Sequence, residues 1–176
     1  MRRALLRDLK NASEVKIMCA YFLPTSRLRR ALRGVVKRGG KVQLILAGKS
    51  DVGISQLATR RLYEPLLRGG VEIFEYQPQV LHAKMFIIDD LVYVGSANLD
   101  VRSLKINHEL LVRLSERKAA VEALSLFGKD LQQSKPIERD EWRRSRGIFS
   151  KLKERWAYLV LARLDPYLAR VQLRRR

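Results

Sequence analysis

The chain reads as an α/β protein with parallel strand pairs, and three observations point there. Helical and extended hydrophobic periodicities alternate over the first half of the sequence. Two Gly-Gly pairs, at 39–40 and 69–70, each close a helical stretch just before an apolar run. The helical stretches are roughly 12 to 15 residues long, enough for the crossovers that parallel pairing requires.

Taken in order, Leu5, Leu6 and Leu9 lie on one face of a helix predicted over 2–12. Residues 15–22 form a short apolar strand ending before Pro24, whose predecessor is driven to extended geometry. Cys19 falls inside that run and reads as a buried strand residue. Ser26 is the expected cap of the next helix, in which Leu28, Ala31, Leu32 and Val35 recur at three and four. Gly39-Gly40 stops it before a strand over 42–46. A helix over 54–68 repeats the unit and ends at Gly69-Gly70 before a strand over 71–76. The glycine pairs read as helix caps, since no Walker-type Lys-Ser/Thr follows either.

From 81 the pattern changes. An extended run over 81–90 is followed directly by a second over 91–98, which makes a hairpin. With Asp89-Asp90-Leu91 as its loop, Ile88 lies opposite Val92, Lys84 opposite Ser96 and His82 opposite Asn98. Side chains alternate across a strand, so His82, Lys84, Ser96 and Asn98 share a face while Asp89 takes the other. A slip of one residue would send Ser96 and Asn98 away. An imidazole, an ammonium, a hydroxyl and an amide on one patch suit an anionic tetrahedral group: Lys84 supplies charge, Asn98 and Ser96 directed donors, and His82 a nucleophile or proton shuttle.

The pattern His82-x-Lys84-x4-Asp89, then Gly95-Ser96-x-Asn98 and Asn107-x-Glu109, resembles the H-x-K-x4-D and G-S-x-N signature of the phospholipase D superfamily. Ala20-Tyr21-Phe22-Leu23-Pro24, residues 70–76 and Ser96-Ala97-Asn98-Leu99-Asp100 are similar to the C-terminal half of bacterial cardiolipin synthases, over most of 1–130. Five residues separate Asp89 from Gly95 where many members have six, which shortens the hairpin. The resemblance implies a phospholipase D-like mixed sheet flanked by helices on both faces, with a C-terminal amphipathic helix. It implies a catalytic set of His82, Lys84, Asp89 and Glu109, with Ser96 and Asn98 binding substrate. His82 would form a covalent phosphohistidine, Glu109 would fix its tautomer, and Lys84 and Asn98 would clamp phosphate oxygens. Asp89, at a strand end, is expected to secure the loop. No cofactor and no metal is expected; Asp89, Asp90 and Asp100 lack His or Cys ligand spacing. Asp51 is expected either to line the cleft or to cap the following helix, and Arg102-Ser103 to contact substrate or to form a turn.

The leaving alkoxide needs a proton, which in this superfamily comes from a second H-x-K histidine. One such motif is present, and the other histidine, His108, should face away from Glu109. The chain is thus expected to act either as a homodimer with each copy donating His82, or with an N-terminal half-enzyme supplying the second histidine.

Charge narrows the partners. Lys and Arg number 36 against 18 Asp and Glu, a formal +18, on a background 47% hydrophobic. This excludes a disordered basic tail and favours polyanions. No apolar stretch approaches the roughly 20 residues that span a bilayer, and the first residues carry charge too early for a signal peptide. The expected organisation is a catalytic half-domain over 1–133 and a basic amphipathic tail over 134–176. From 135 onward 13 basic residues face five acidic ones. Phe149, Leu152, Trp156, Leu159, Val160, Leu164, Leu168 and Val171 recur mostly at three and four, and Asp165-Pro166 is expected to restart the helix. Such a helix suits an anionic phospholipid membrane, or else docks on this domain or a partner. The expected function is a peripheral phosphatidyltransferase on the cytoplasmic face of the inner membrane with a phospholipid substrate. A homodimeric nuclease drawing nucleic acid to the same charge, or an inactive fragment or partner subunit, are the alternatives.

Overall fold

The computed structural model describes residues 2–105 and 107–164. In chain order the elements are α1 (Arg2–Asp8), β1 (Glu14–Cys19), α2 (Ser26–Lys37), β2 (Lys41–Ala47), α3 (Gly53–Arg60), α4 (Tyr63–Leu67) and β3 (Glu72–Tyr76). They continue with β4 (Lys84–Ile88), β5 (Leu91–Gly95), α5 (Val101–Lys105), β6 (Leu111–Leu114), α6 (Arg117–Gln132) and β7 (Ser134–Pro136). α7 (Arg139–Arg144) and α8 (Ile148–Leu159) follow, with a π-helical turn over Val160–Leu164. The strands form one sheet in the order β6-β5-β4-β1-β2-β3-β7. β1, β2 and β3 run parallel, while β4 and β5 reverse in turn, β6 runs against β5 and β7 against β3.

Alternation along the strands feeds two cores. Val15, Ile17 and Cys19 of β1 point with Leu44 and Leu46 of β2 toward a layer of α1, α2, α3, α4 and α8. Met18, Ile45, Met85 and Ile87 point the other way, onto Ala120, Ala123 and Phe127 of α6. The expected mixed sheet with helices on both faces is what forms.

The glycine pairs end their helices in the same way. Gly40 N–H donates to Val35 O and Gly39 N–H to Val36 O, with Gly39 at φ +87°; Val71 and Gly70 repeat the pattern onto Leu66 and Leu67, with Gly70 at φ +79°. Both are Schellman closures, which need a residue tolerant of left-handed geometry.

Four expectations shift. Thr25, not Ser26, caps α2, its hydroxyl accepting from Leu28 N–H at 3.4 Å. The helix expected over 54–68 divides into α3 and α4, because Pro65 lacks an N–H and its ring opposes the carbonyl four residues back; it is tolerated only in the first turn of a new helix. The hairpin loop has two residues, Asp89 and Asp90, so Ile88 faces Leu91 and Met85 faces Val94. That register is one residue from the expected one, and Asp89 permits it by adopting φ +49°. Lastly, His82 precedes the strand, which begins at Lys84.

Between residues 134 and 164 the chain packs against the body. β7 extends the sheet beside β3, and Trp142 of α7 meets Tyr63 with ring centres 4.8 Å apart. α8 packs on α3 through buried Ala157 and a buried Glu154 that is ion-paired with Arg146. Of the expected apolar stripe, Phe149, Leu152, Trp156, Leu159 and Leu164 stay exposed, while Val160 is half-buried. The Asp165-Pro166 restart, Leu168 and Val171 lie outside the described residues.

Polar anchors tie the layers together. Glu75 accepts from Arg60 Nε and Nη2 at 3.0 and 3.1 Å and from the Tyr63 hydroxyl at 3.2 Å, fixing α3 and α4 to β3. Asp8 accepts from Tyr93 Oη at 2.5 Å and Arg113 Nε at 2.8 Å, locking α1 to β5 and β6. Although burial raises it, these donors and Arg7 hold the Asp8 carboxyl at about 2, below its ordinary 3.8. A depressed folded value means stability present above the unfolded 3.8 and lost as pH falls through about 2. Asp8→Ala is expected to cost about 1.5–3 kcal/mol at pH 7, by loss of hydrogen bonds to a charged acceptor. Thermal melts from pH 7 down to 2 check it: the gap between wild type and variant should close at the acid end.

Candidate functional site

The sheet gathers one set of chain ends at one edge. β1 ends at Cys19 beside the start of β4 at Lys84, because the two pair antiparallel. β5 ends at Gly95 beside the start of β6 at Leu111. β2, parallel to β1, leads out at the same edge toward Asp51. Tyr21, Asp51, His82, Lys84, Ser96, Asn98 and Glu109 all stand on segments entering or leaving the sheet there.

Pairing of β1 and β4 continues past the strands, with Ala20 N–H donating to Ala83 O at 3.1 Å, and this sets His82 beside the end of β1. The His82 side chain is exposed, and its carbonyl accepts from Lys84 Nζ at 3.0 Å. Burial draws the Lys84 ammonium below the ordinary lysine range, opposed by the nearby Cys19, Glu109 and Asp51.

Asn98 reaches the edge by a route other than strand alternation. β5 stops at Gly95, and the following residues fold back over β1 through a Phe22–Leu99 bridge and a 2.9 Å bond from Leu23 N–H to Leu99 O. The Asn98 Oδ1 accepts from Tyr21 N–H at 3.3 Å and lies 3.8 Å from the Cys19 thiol. This orients the amide, and its Nδ2 has no protein acceptor among the described residues. Cys19 is fully buried as expected, its thiol also donating to Tyr21 O and accepting from Leu99 N–H, and burial pushes it up to about 12.

The Gly-Ser pair does something the sequence pattern did not reveal. A Cβ on Gly95 would collide with Leu110 O, so only glycine lets the 109–111 segment lie this close. Ser96 N–H donates to Leu110 O at 3.0 Å, and its hydroxyl donates to Glu109 Oε2 at 2.5 Å while accepting from Leu110 N–H at 3.2 Å. Ser103 Oγ and Asn107 Nδ2 hold Glu109 Oε1 at 3.1 and 3.4 Å. Burial raises the Glu109 carboxyl, but these donors and Lys84 leave it below the ordinary range. Ser96 therefore positions Glu109 with the proton it was expected to offer substrate.

Glu109 makes no hydrogen bond to His82 among the described residues, contrary to the tautomer-fixing contact expected of it. Asp51 lies near enough to His82 to interact with it electrostatically, and is held below the ordinary range chiefly by the Tyr21 hydroxyl at 2.7 Å, with His82 a minor contributor. Asp51 does not cap α3, whose cap position is Val52 with no side-chain bond. Tyr21 and Asp51 are the residues that sequence spacing underplayed, since each sits on a separate segment after a parallel strand.

Asp89 stands at the opposite edge. Its carboxylate accepts from Ser13 and Glu14 N–H at 3.0 and 2.8 Å, securing the hairpin to the start of β1. The same separation divides Asp89 and Asp90 from Asp100, which caps α5 through Ser103 N–H at 2.8 Å. His108 is exposed. A cavity of about 400 Å³ adjoins the cluster, lined by Tyr21, Asn98, Ser103, Asn107 and Glu109, with Arg102 at its wall and Leu161 from the π turn.

The sequence family described as "cardiolipin synthase, PLD-like domain" matches residues 5–131. A probable cardiolipin synthase of Bacillus subtilis is 33% identical over 144 residues, 81% of this chain and 29% of that protein. Cardiolipin synthase B of Escherichia coli is 43% identical over 119 residues, 66% of this chain and again 29% of the relative. The chain thus spans less than a third of the length of these curated relatives. Among solved structures, the phospholipase D family member Nuc of Salmonella typhimurium superposes with TM-score 0.66 at 21% identity, covering 78% of this chain and 90% of that one. A phosphatidylserine synthase of Haemophilus influenzae gives 0.68 at 14%, covering 93% and 43%. At such identities the structures establish a shared fold.

Two measurements check the geometry. Glu109→Gln removes a charge that favours the Lys84 ammonium, so Lys84 should deprotonate at lower pH in an NMR titration of its side chain; an unmoved midpoint contradicts the contact. Gly95→Ala should lower stability by about 1–3 kcal/mol, because the methyl must displace backbone.

Proposed function

The chain belongs to the family of cardiolipin synthase PLD-like domains, and on that footing we propose that its polar sheet edge is one half of a phosphatidyltransferase site. The observation that carries the reading is the convergence of His82, Lys84 and Asn98 at one edge, with the Asn98 amide oriented by Tyr21 N–H. A flexible cation and a fixed amide donor beside a free imidazole are what an in-line displacement at phosphorus requires.

In the first step an imidazole nitrogen of His82 attacks phosphorus, a nitrogen–phosphorus bond forms and the bond to the headgroup alcohol breaks. Lys84 and Asn98 Nδ2 receive the charge on the phosphoryl oxygens. Asp51 and Glu109, both kept ionised, stabilise positive charge that arises on His82 and Lys84. In the second step an alcohol oxygen attacks, its proton passes to the second H-x-K histidine that gave one up in the first step, the nitrogen–phosphorus bond breaks and the phosphatidyl group leaves on the acceptor. Water in place of the alcohol gives hydrolysis. The departing alkoxide takes its proton from a second H-x-K histidine, supplied by another copy of this chain or by an N-terminal half-enzyme. No metal or cofactor enters either step.

The substrate's bilayer is met by α8. Phe149, Leu152, Trp156 and Leu159 form an exposed ridge at three- and four-residue spacing, with Lys151 and Lys153 beside it. Apolar residues flanked by cations suit an anionic bilayer surface. Among the described residues no helix is long and apolar enough to cross a membrane.

With phosphatidylglycerol in mixed micelles, His82→Ala is expected to lower phosphatidyl transfer by on the order of 10³-fold or more. Equal turnover by wild type and variant, or DNA cleavage without phospholipid turnover, contradicts the reading. On anionic vesicles Trp156 fluorescence should shift to the blue, and Leu152→Glu should weaken partitioning about tenfold or more, the scale of one buried leucine. Unchanged partitioning would remove α8 from the membrane surface.

A further inference from the structure

A second cationic feature lies apart from the sheet edge. Between α2, α4 and α8 is a cavity of about 380 Å³ lined by Arg29, Arg33, Arg61 and Arg155 over an apolar floor that includes Leu62 and Leu66. No acidic side chain is among its lining residues. Four guanidinium groups gathered without a carboxylate repel one another, and such an arrangement is favourable once an anion is shared among them.

Two of the four are held in place. Arg29 Nη1 donates to Tyr158 Oη at 3.0 Å and its guanidinium lies 5.8 Å from the centre of that ring. Arg33 lies across Gly69, where an added Cβ would meet its Cδ at 2.6 Å. Arg61 and Arg155 also line a neighbouring cavity with Arg143, Arg146 and Lys151, where Glu64 and Glu154 supply the carboxylates that the first cavity lacks. There burial chiefly, with Arg61 and Arg60 nearby and Glu64 opposing, draws Arg146 below the ordinary arginine range. Planar forks on several sides of a small cavity match a phosphate group, whose oxygens accept paired N–H bonds.

The neighbourhood selects among phosphate carriers. Leu159 lines the cavity and is 49% exposed at the end of the α8 ridge, so an anion held there is continuous with an apolar track. A free phosphate or a nucleotide has no use for that track, whereas a phospholipid's acyl chains do. Two residues farther on, Leu161 lines the cavity at the candidate active site, so α8 and its π turn border both.

We propose that the arginine cavity binds the phosphate headgroup of an anionic phospholipid that is not the reacting one, and thereby orients the catalytic edge against the bilayer. The inference rests on the reading of α8 as the bilayer-facing helix.

The test compares the full chain with Arg61→Glu/Arg155→Glu, both exposed residues, and with Arg117→Glu/Lys118→Glu on α6, which makes the same change in net charge. Partitioning is measured on vesicles of phosphatidylglycerol in phosphatidylcholine and on phosphatidylcholine alone, after thermal melts establish that each variant folds. Arg33→Gln serves as a second, milder probe of the same cavity. The proposal expects a loss of at least tenfold on anionic vesicles for the Arg61/Arg155 pair and less than threefold for the α6 pair. Arg33→Gln should lie between them, and phosphatidylcholine should not separate the three. Equal losses for the two pairs overturn the site in favour of diffuse charge. Inorganic phosphate binding that depends on Arg61 and Arg155, with vesicle binding unchanged, overturns the lipid assignment. Leu152→Glu separates the two readings: if it weakens binding while the Arg61/Arg155 pair does not, the α8 surface stands and the cavity proposal fails. If Leu152→Glu binds as wild type, the α8 reading itself fails.

Discussion

The direction in which β4 runs against β1 decides where the chemistry falls. β1 pairs parallel with β2 on one side and antiparallel with β4 on the other, so the polarity of the sheet switches at its centre. At that switch the ends of β1 and β2 meet the start of β4, and the β5–β6 pair adds one more end and one more beginning. Open α/β sheets bind ligands at such switch points, where segments diverge and leave room. Were β4 parallel to β1, His82 and Lys84 would stand at the edge now held by Asp89.

Much of what looks like a catalytic motif serves to hold that edge together. Gly95 admits the 109–111 segment, Ser96 clamps it, and Asp89 fixes the far end of the hairpin to Ser13 and Glu14. The buried Cys19 thiol joins Tyr21, Asn98 and Leu99 in one hydrogen-bonded knot. What remains turned outward is small: an exposed imidazole, a partly buried ammonium and the Nδ2 of one oriented amide. The motif is thus mostly support around a few reacting groups, and substitutions in the support act through placement as well as through folding.

Much of this was legible in the sequence. Gly39-Gly40 and Gly69-Gly70 marked helix ends because left-handed closure has few alternatives, and the strand runs marked themselves by apolar content. Residues 54–68 misled because the apolar period continues through Pro65, where a missing N–H outweighs it. The hairpin register was out of reach for a similar reason: one residue of slip depends on whether Asp89 accepts a positive φ, which alternation does not encode. Asn98 arrived at the expected edge even so, since the chain leaves the strand at Gly95. The contributions of Tyr21 and Asp51 were the hardest to foresee, because they depend on segments 30 residues apart meeting across parallel strands.

The outer surface extends the same division of labour. α8 turns Ala157 and Glu154 inward and a ridge of large apolar residues outward, so one helix both closes the core and offers a surface for a bilayer. Everything in the functional account turns on whether His82 becomes covalently joined to phosphorus. The most direct measurement incubates the full chain with short-chain phosphatidylglycerol, quenches it under alkaline conditions that preserve nitrogen–phosphorus bonds, and maps the adduct by peptide mass spectrometry. A phosphatidyl group on His82, absent from His82→Asn, is the expected result. No adduct on the wild-type chain, or one on another residue that survives His82→Asn, would contradict it.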